Sequence, residues 1–384
     1  MPRILCRITC VTLFILCVAT AFGEEKPAVS PEDDKAAALV RQLGSDVFTV
    51  REKAANDLLK MGRPAKNALE GGLKNPDLEV QTRCRDLLVV ILDLDFKARL
   101  EAFIADKDGK QQHDLPCWQR YRKLVGEDAP ARELFIEMAR TNRQLLEDAE
   151  ASPKKVGDRL ASEIQTMFQR LFAPLPGNRK QLTLPEVALM LFIASDPQVT
   201  VPEASQQMTA NLLYQPAFTQ GLRNGPNSAH LRKLFGAWIG QATGVAANQA
   251  LSLSMQNNLK EGLELALKLI KEKDFANGMA LAAVGKLGGK EHLGTLEPLL
   301  KNATVLTNFN FNNQAVITQV RDVALAMMVH LTGQNVKDYG YEFARNVQGD
   351  QLFYSVVFLG FGNDTKRDAA FKKWQEWSEK QPKQ

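Results

Sequence analysis

The stretch that decides the fold is FTVREKAANDLLKMGRPAKNALEGGLKN, at residues 48–75. Its counterpart later in the chain is FANGMALAAVGKLGGKEHLGTLEPLLKN, at residues 275–302. Both segments run from an aromatic residue through a helical pattern to a glycine, and then through a second helical pattern to Lys-Asn. Self-similarity of this kind is typical of arrays built from helical hairpins. We expect Gly62 and Gly288 to end the first helix of each hairpin with a positive φ, and Pro64 to begin the next helix.

A second repeated spacing cuts across these hairpins. Valine lies four residues before a small residue at three places: Val50 and Ala54, Val80 and Cys84, Val320 and Ala324. The spacing predicts a buried valine with a small residue one turn later, which lets a neighbouring helix approach closely. In the first hairpin, the same reasoning places Val50, Ala54, Leu58 and Met61 on one buried face.

These three segments resemble the first helices of HEAT-type repeats. In that family an arginine after the valine supports the packing of adjacent repeats through a carboxylate, and the resemblance assigns this role to Arg51 and Arg321, whereas Gln81 departs from it. Further segments at 115–140, 320–340 and 369–377 resemble those of uncharacterised exported bacterial proteins with HEAT-like repeats. That resemblance implies an architecture and implies no activity, cofactor or site residue.

Helical patterns dominate the remaining sequence, and strand-like alternation is almost absent. We therefore predict an all-α fold, a HEAT-like α-solenoid of antiparallel helical hairpins interrupted by a less regular helical middle region. The predicted parts are a signal peptide (1–23), a linker (24–34), N-terminal HEAT-like repeats (35–95), an irregular helical region (96–258) and C-terminal HEAT-like repeats with a capping helix (259–384).

The N-terminus carries the pattern of an export signal. Arg3 and Arg7 are followed by 15 residues without a charge, Ile8–Phe22, whereas a span of the bilayer needs about 20 apolar residues. We expect cleavage after Gly23 and a mature protein in the periplasm, the extracellular space or the cell envelope, with no integral membrane segment. An uncleaved signal anchor and a lipoprotein processed at Cys17 are the alternatives.

Composition limits the classes of partner. Hydrophobic residues make up 45% and charged residues 24% of the chain, which is ordinary for a folded domain. The formal net charge is +4, and removal of Arg3 and Arg7 with the signal lowers it to +2. Nucleic-acid binding needs a concentrated basic face, and none is visible, so we predict no nucleic-acid partner.

The middle and the end of the chain contain further helices. We predict one helix over Pro130–Ala149 with Asp128 as its cap, and a buried helix over Pro185–Ala194, which is apolar on all sides. A C-terminal helix over 366–380 places Ala370, Phe371, Trp374 and Trp377 on one face. This face either covers the open end of the array or forms an exposed aromatic binding patch.

Four stretches rich in Pro, Gly, Asn or Thr are predicted to be loops: 174–184, 195–204, 221–229 and 302–314. The last of these, NATVLTNFNFNNQ, is long for a connection between two helices. Its two aromatic residues, Phe309 and Phe311, lie among asparagines. The segment is either a contact loop or a plug whose phenylalanines pack onto the array.

Known patterns for metal and phosphate sites are incomplete. His113 and Cys117 form an H-x3-C pair, but zinc needs three or four converging ligands. The Asp106–Gly109 turn lacks the first and last ligands of a calcium loop. The glycine-rich stretch 285–290 lacks the first glycine and the Ser/Thr of a P-loop. We therefore predict no metal site and no cofactor.

Catalytic patterns are also missing, since neither G-x-S-x-G nor H-E-x-x-H occurs. Cys84 is expected to be a buried, inert thiol, with a disulfide to Cys117 as the alternative. His330, at a predicted helix end, is expected to be a capping cation or a packed side chain. Asp93 and Asp95 are expected to be ordinary solvated carboxylates. We predict no catalytic residues.

Curved stacks of helical hairpins present long concave faces that bind other chains. The leading hypothesis is therefore an exported, non-enzymatic scaffold or adaptor that binds one or more partner proteins. One alternative is a HEAT-like lyase-type enzyme that attaches or isomerises a chromophore on a partner protein. Another is an envelope component that associates with itself.

Overall fold

The computed structural model describes residues 31–174, 177, 179–272, 276–311, 313–344 and 349–381. The predicted signal peptide at 1–23, residues 24–30 of the predicted linker and the aromatic residue that starts the second hairpin, Phe275, lie outside the described residues.

The described chain is helical for most of its length, which confirms the all-α prediction. Its α-helices are Pro31–Gln42 (α1), Phe48–Met61 (α2), Lys66–Gly72 (α3), Leu78–Ala105 (α4), Trp118–Leu124 (α5), Ala129–Thr141 (α6), Arg143–Ala151 (α7), Val156–Leu171 (α8), Leu184–Ala194 (α9), Glu203–Leu212 (α10), Pro216–Asn224 (α11), Ser228–Ile239 (α12), Gly244–Asn257 (α13), Glu261–Ile270 (α14), Gly278–Leu287 (α15), Leu293–Leu296 (α16), Val320–Leu331 (α17), Gln351–Tyr354 (α18) and Asp364–Ser378 (α19). Two antiparallel strands, Val305–Phe311 (β1) and Gln314–Gln319 (β2), form a hairpin before α17. Among the described helices, none is both long enough and apolar enough to cross a bilayer.

The chain divides between Arg99 and Leu100 into two compact units. In the first unit, α1 packs against α2 and α3 around a core that includes the fully buried Ala54, Leu58 and Cys84. A Cβ atom at Gly72 would lie only 2.4 Å from Sγ of Cys84. The small residues predicted at this spacing therefore do allow α3 and α4 to approach closely.

The first hairpin follows the sequence prediction with one exception. Gly62 ends α2 with a φ of 65°, and Pro64 lies in the short 3₁₀ turn that leads into α3. The predicted burial of Val50 is wrong, because its side chain is 36% exposed. Val50 lies in the first turn of α2, and the buried face of that helix begins one turn later, at Ala54.

The second unit is organised around α9. All of its residues from Val187 to Ala194 are buried, as predicted, and the helix contacts α6, α8, α11 and α12. Asp128 caps α6 by accepting a hydrogen bond from the Ala131 N–H at 2.9 Å. The single helix predicted over Pro130–Ala149 is divided at Asn142, which ends α6 with a φ of −154° and a ψ of 81° and caps α7 by accepting from the Leu145 N–H.

The end of the second unit departs most from the prediction. The predicted loop at 302–314 forms β1 and the start of β2. Gly288 ends α15 as expected, but its φ is −88°. A Cβ atom there would lie 2.6 Å from the Val284 carbonyl oxygen, so glycine is needed for space and not for a positive φ. The C-terminal helix, α19, buries Ala370 and Trp374 and partly buries Trp377, which favours the capping role over an exposed aromatic patch.

Candidate functional site

The predicted contact with a carboxylate is present for Arg51 and is not found for Arg321 among the described residues. Arg51 does contact a carboxylate on a neighbouring helix, since its Nε lies 3.1 Å from Oε1 of Glu79 in α4. Arg321 instead donates to the side-chain oxygen of Gln319 at 2.6 Å, and its guanidinium lies 5.8 Å from the Phe371 ring. The carboxylate next to it, Asp322, is buried and pairs with another arginine, Arg367.

The His113–Cys117 pair does not converge on a common point. Nε2 of His113 lies 2.9 Å from Oδ2 of Asp106, and Sγ of Cys117 donates to the Leu146 carbonyl at 3.3 Å. Backbone N–H groups also donate to Asp106, which closes the turn at 106–111. Within the described ranges, no three His, Cys, Asp or Glu side chains are grouped closely enough to hold a metal ion.

Cys84 and Cys117 are each free and buried, so the alternative of a disulfide between them is wrong. Burial raises the pKa of the Cys84 thiol and raises the pKa of Cys117 to about 12. The thiolate is the reactive form of cysteine. Neither side chain is therefore suited to nucleophilic chemistry in the folded protein.

Several carboxylates are held in pairs that stabilise helices. Asp93 lies 2.7 Å from Lys97, and the partly buried Asp95 lies 2.8 Å from Arg99. The N–H of Ala131 and the ring of His230, 3.0 Å away, both lower the pKa of Asp128. Asp128 is the cap of α6, so this pair joins α6 to α12.

His330 lies at the end of α17 on the wall of a cleft of about 400 Å³, which is also lined by Phe353, Asp350 and Lys337. Its ring meets Phe353 edge to face at 5.0 Å. Burial lowers the pKa of His330, and the nearby Lys286 ammonium lowers it further. The shift favours the neutral imidazole over the capping cation that the sequence left open, and His330 remains exposed on the wall of the cleft. A histidine with a shifted pKa in a cleft is a recognised sign of function, but the described lining contains no hydroxyl or thiol side chain beside it.

Several large apolar side chains of the first unit are exposed at helix ends. We call five of them the apolar row, because they lie at the start of α2, the end of α3 or the start of α4: Val47, Phe48, Val50, Leu73 and Leu78. Phe48 is 61% exposed and Leu78 is 74% exposed. These two residues each lie two positions before the valine of the repeated spacing, so they occupy the same place at the starts of α2 and α4.

An ion-pair network connects the two helix ends that carry the apolar row. In addition to the Arg51–Glu79 pair, Arg83 of α4 lies 3.0 Å from Glu52 of α2 and 3.0 Å from Glu79. The guanidinium of Arg51 lies 5.8 Å from the centre of the Phe48 ring, within the range of a cation–π interaction. The network therefore fixes the starts of α2 and α4 relative to each other and restricts the Phe48 side chain.

The β-hairpin forms a second exposed feature, in the second unit. Phe309 and Phe311 both meet Phe358 edge to face, at 5.6 and 5.5 Å. These contacts favour the plug over the free contact loop, although Phe311 is still 40% exposed. Next to β1 lies a cleft of about 320 Å³, lined in part by Leu306 and Thr307.

No model of a protein family matches the chain, and no curated protein matches it. The apolar row and the β-hairpin are therefore the surfaces from which a function can be inferred. The sequence predicted 302–314 as a possible contact loop, but it did not mark the apolar row as a site. Phe48 was visible as the start of a repeat, and the spacing from Phe48 to Val50 and from Leu78 to Val80 was the signal that relates the two residues.

Proposed function

We propose that the chain is an exported protein-binding scaffold or adaptor, built on HEAT-like repeats, that works without catalysis. The observation that carries this proposal is the apolar row, in which Phe48 and Leu78 are exposed at corresponding positions of two neighbouring helices. Large apolar side chains in an exposed cluster mark interaction sites in soluble proteins. The export part of the proposal rests on the sequence pattern of residues 1–23.

The surroundings of the row suit protein binding. Aromatic residues and arginine are enriched among the residues that contribute most to binding energy, and here Phe48 lies beside Arg51. The Arg51–Glu79 pair reduces the freedom of both groups before binding, which lowers the entropy that a partner must overcome. The Arg51–Glu79 contact brings the starts of α2 and α4 together, so Phe48 and Leu78 offer a partner two apolar contact points.

The test is capture with the full-length tagged protein, expressed with its own signal, followed by cross-linking and mass spectrometry of the exported fraction. The test variant is Phe48→Ser with Leu78→Ser. The matched control is Val89→Ser with Leu94→Ser, because these α4 residues are also apolar and exposed, at 63% and 56%, but lie outside the row. We expect the wild type and the control to capture the same partner and the test variant to lose it.

The alternatives predict other outcomes of the same experiment. Capture of the chain's own copies alone would favour a self-associating envelope component. A chromophore retained by the purified protein or its partner would favour a lyase-type enzyme. A partner captured equally by the wild type and the Phe48/Leu78 variant would show that the apolar row is not the binding surface.

A further inference from the structure

We propose that the outer edge of β1 binds an extended, uncharged segment of a partner protein as an added β-strand, with one apolar side chain of that segment in the cleft beside Leu306. This strand-binding edge would serve the protein-binding function proposed above, on which the proposal rests. It uses a different surface, so the outcome of the Phe48 and Leu78 experiment does not decide it.

The hairpin can be extended on one side only. The outer edge of β2 is occupied, because Ile317 and Phe361 exchange both backbone hydrogen bonds at 3.1 Å. Thr318 adds a side-chain bond to the Val357 carbonyl at 2.8 Å on the same side. An incoming strand must therefore pair with β1.

The register shows which groups of β1 face outward. Residues along an antiparallel pair alternate between bonding to the partner strand and pointing away from it. Ile317 directs its backbone groups to Phe361, so Asn308, which is its partner across the hairpin, also points its N–H and C=O away from β2. Asn310 lies two residues further along β1 and has the same orientation.

No backbone hydrogen bond joins Asn308 or Asn310 to a described residue outside the hairpin, and both residues are exposed. An incoming strand would therefore meet two N–H and two C=O groups that are already aligned. Addition of a strand to such an edge is a common mode of peptide recognition.

The edge lacks proline and charge, two of the usual protections against pairing, and its irregularity is confined to the stretch between Val305 and Thr307. Exposed edge strands are normally interrupted by proline or by charged side chains, especially lysine. The sequence of β1, VLTNFNF, contains neither, and both of its end residues, Val305 and Phe311, are exposed. We expect a partner to cover a strand with these properties when the protein functions.

The adjacent cleft selects the side chains of the added segment. Its described lining has no charged residue and includes Asn277, Leu306, Met279 and Val356. The hydroxyl of Thr307 is shielded from solvent and has no hydrogen-bond partner among the described residues. A charged side chain would be desolvated in this cleft without a counter-charge, so an uncharged segment is favoured.

In the register centred on Phe309, a second copy of the chain fits this edge less well than a partner segment. The pairing of β1 with β2 is irregular between Val305 and Thr307, so only the stretch from Thr307 to Phe311 is regular. An antiparallel pairing of two β1 strands centred on Phe309 would place Leu306 opposite the hairpin turn of the other copy. The cleft beside Leu306 would then receive no strand side chain.

The experiment begins with selection of displayed linear dodecapeptides against the full-length purified protein. The best peptide is then measured against Asn308→Pro and Asn308→Ala. Both substitutions remove the same side chain, but only proline removes the outward N–H. We expect peptides that are uncharged and rich in β-forming residues, with affinity for N308P weaker than for N308A by about fivefold to tenfold, as expected for one lost hydrogen bond.

Two further measurements keep the test decisive if N308P is poorly folded. A peptide with N-methyl groups at alternate backbone positions should lose binding to the wild type, and the amides of Asn308 and Asn310 should exchange hydrogen more slowly when the unmodified peptide is bound. Three outcomes overturn the proposal: no peptide is selected, the N-methylated peptide binds as well as the unmodified one, or sedimentation shows that the edge is used for pairing between copies.

Discussion

The carboxylate of Asp322 and the guanidinium of Arg367 form a buried ion pair in which Oδ1 lies 2.8 Å from Nε, and the two side chains are 0% and 2% exposed. The other oxygen of Asp322 accepts from the Gln319 N–H at 2.9 Å, and Arg367 also donates to the Ile317 carbonyl at 3.0 Å. Burial raises the pKa of Asp322, although the Arg367 guanidinium opposes this shift. The pair joins the end of β2, the start of α17 and α19, so it holds in place the hairpin that carries the proposed strand-binding edge.

We predict that Arg367→Met destabilises the protein by about 3–5 kcal/mol, because it leaves the buried Asp322 carboxylate without its counter-charge. Lys366→Met is the matched control. Lys366 lies 2.7 Å from Glu342, but its side chain is 45% exposed, and an exposed pair contributes at most about 1 kcal/mol. Urea unfolding of the two variants measures the difference in the free energy of unfolding. Equal losses of unfolding free energy in the two variants would show that the buried pair stabilises the protein no more than the exposed pair does.

The close approach of Gly157 to the loop after α9 gives a second prediction. Gly157 is buried in the first turn of α8, and a Cβ atom there would lie 2.0 Å from the Thr200 carbonyl oxygen. Because the obstacle is backbone, it cannot rotate away, and we expect Gly157→Ala to cost about 1–3 kcal/mol as overpacking. Gly294→Ala, where no atom lies within 4 Å, should be neutral or stabilise by at most about 1 kcal/mol. Thermal unfolding of both alanine variants tests this contrast, and a stabilised Gly157→Ala would refute it.

Local signals in the sequence were sufficient for much of the helical framework. The Asp128 cap, the buried helix at Leu184–Ala194 and the positive φ of Gly62 each depend on residues within one or two turns. Periodicity and capping report such short-range preferences directly. The contact of Arg51 with a carboxylate was also predicted, whereas the same prediction failed for Arg321.

The features that escaped prediction depend on distant parts of the chain. The composition of 302–314 indicates a loop, and the hairpin there also uses the bridge from Ile317 to Phe361 and the packing of Phe309 on Phe358. The Asp322–Arg367 pair joins residues 45 positions apart. Such contacts have no local pattern, because tertiary packing overrides the intrinsic preference of a short segment. The exposure of Phe48 could not be predicted for the same reason, because a phenylalanine is usually expected to be buried.

The buried thiols give a third prediction. With the pKa of Cys117 raised to about 12, only about one molecule in ten thousand carries its thiolate at pH 8. We expect iodoacetamide to leave Cys84 and Cys117 unmodified in folded residues 24–384 and to alkylate both in guanidinium chloride, as measured by mass spectrometry. Thr82→Cys places an exposed thiol on α4 and should react quickly in the folded protein. Rapid native alkylation of Cys117 would contradict the buried, inert role.

The shifted pKa of His330 predicts the direction of a pH effect on stability. Burial, and then Lys286, lower the pKa of His330 in the folded state, whereas an unfolded histidine titrates near a pKa of about 6.5. Below that pH the unfolded chain binds a proton that the folded chain resists, so the free energy of unfolding falls as the pH drops, until the lower folded pKa is passed. His330→Gln should remove this part of the pH dependence. Lys286→Met should move the folded pKa of His330 back toward 6.5, because it removes a neighbouring positive charge. Proton NMR of the four histidine rings, in which His330→Gln identifies the His330 signals, measures the pKa of His330 in the wild type and in Lys286→Met. A wild-type pKa of about 6.5 or above would show that neither the Phe353 contact nor Lys286 disfavours protonation of His330.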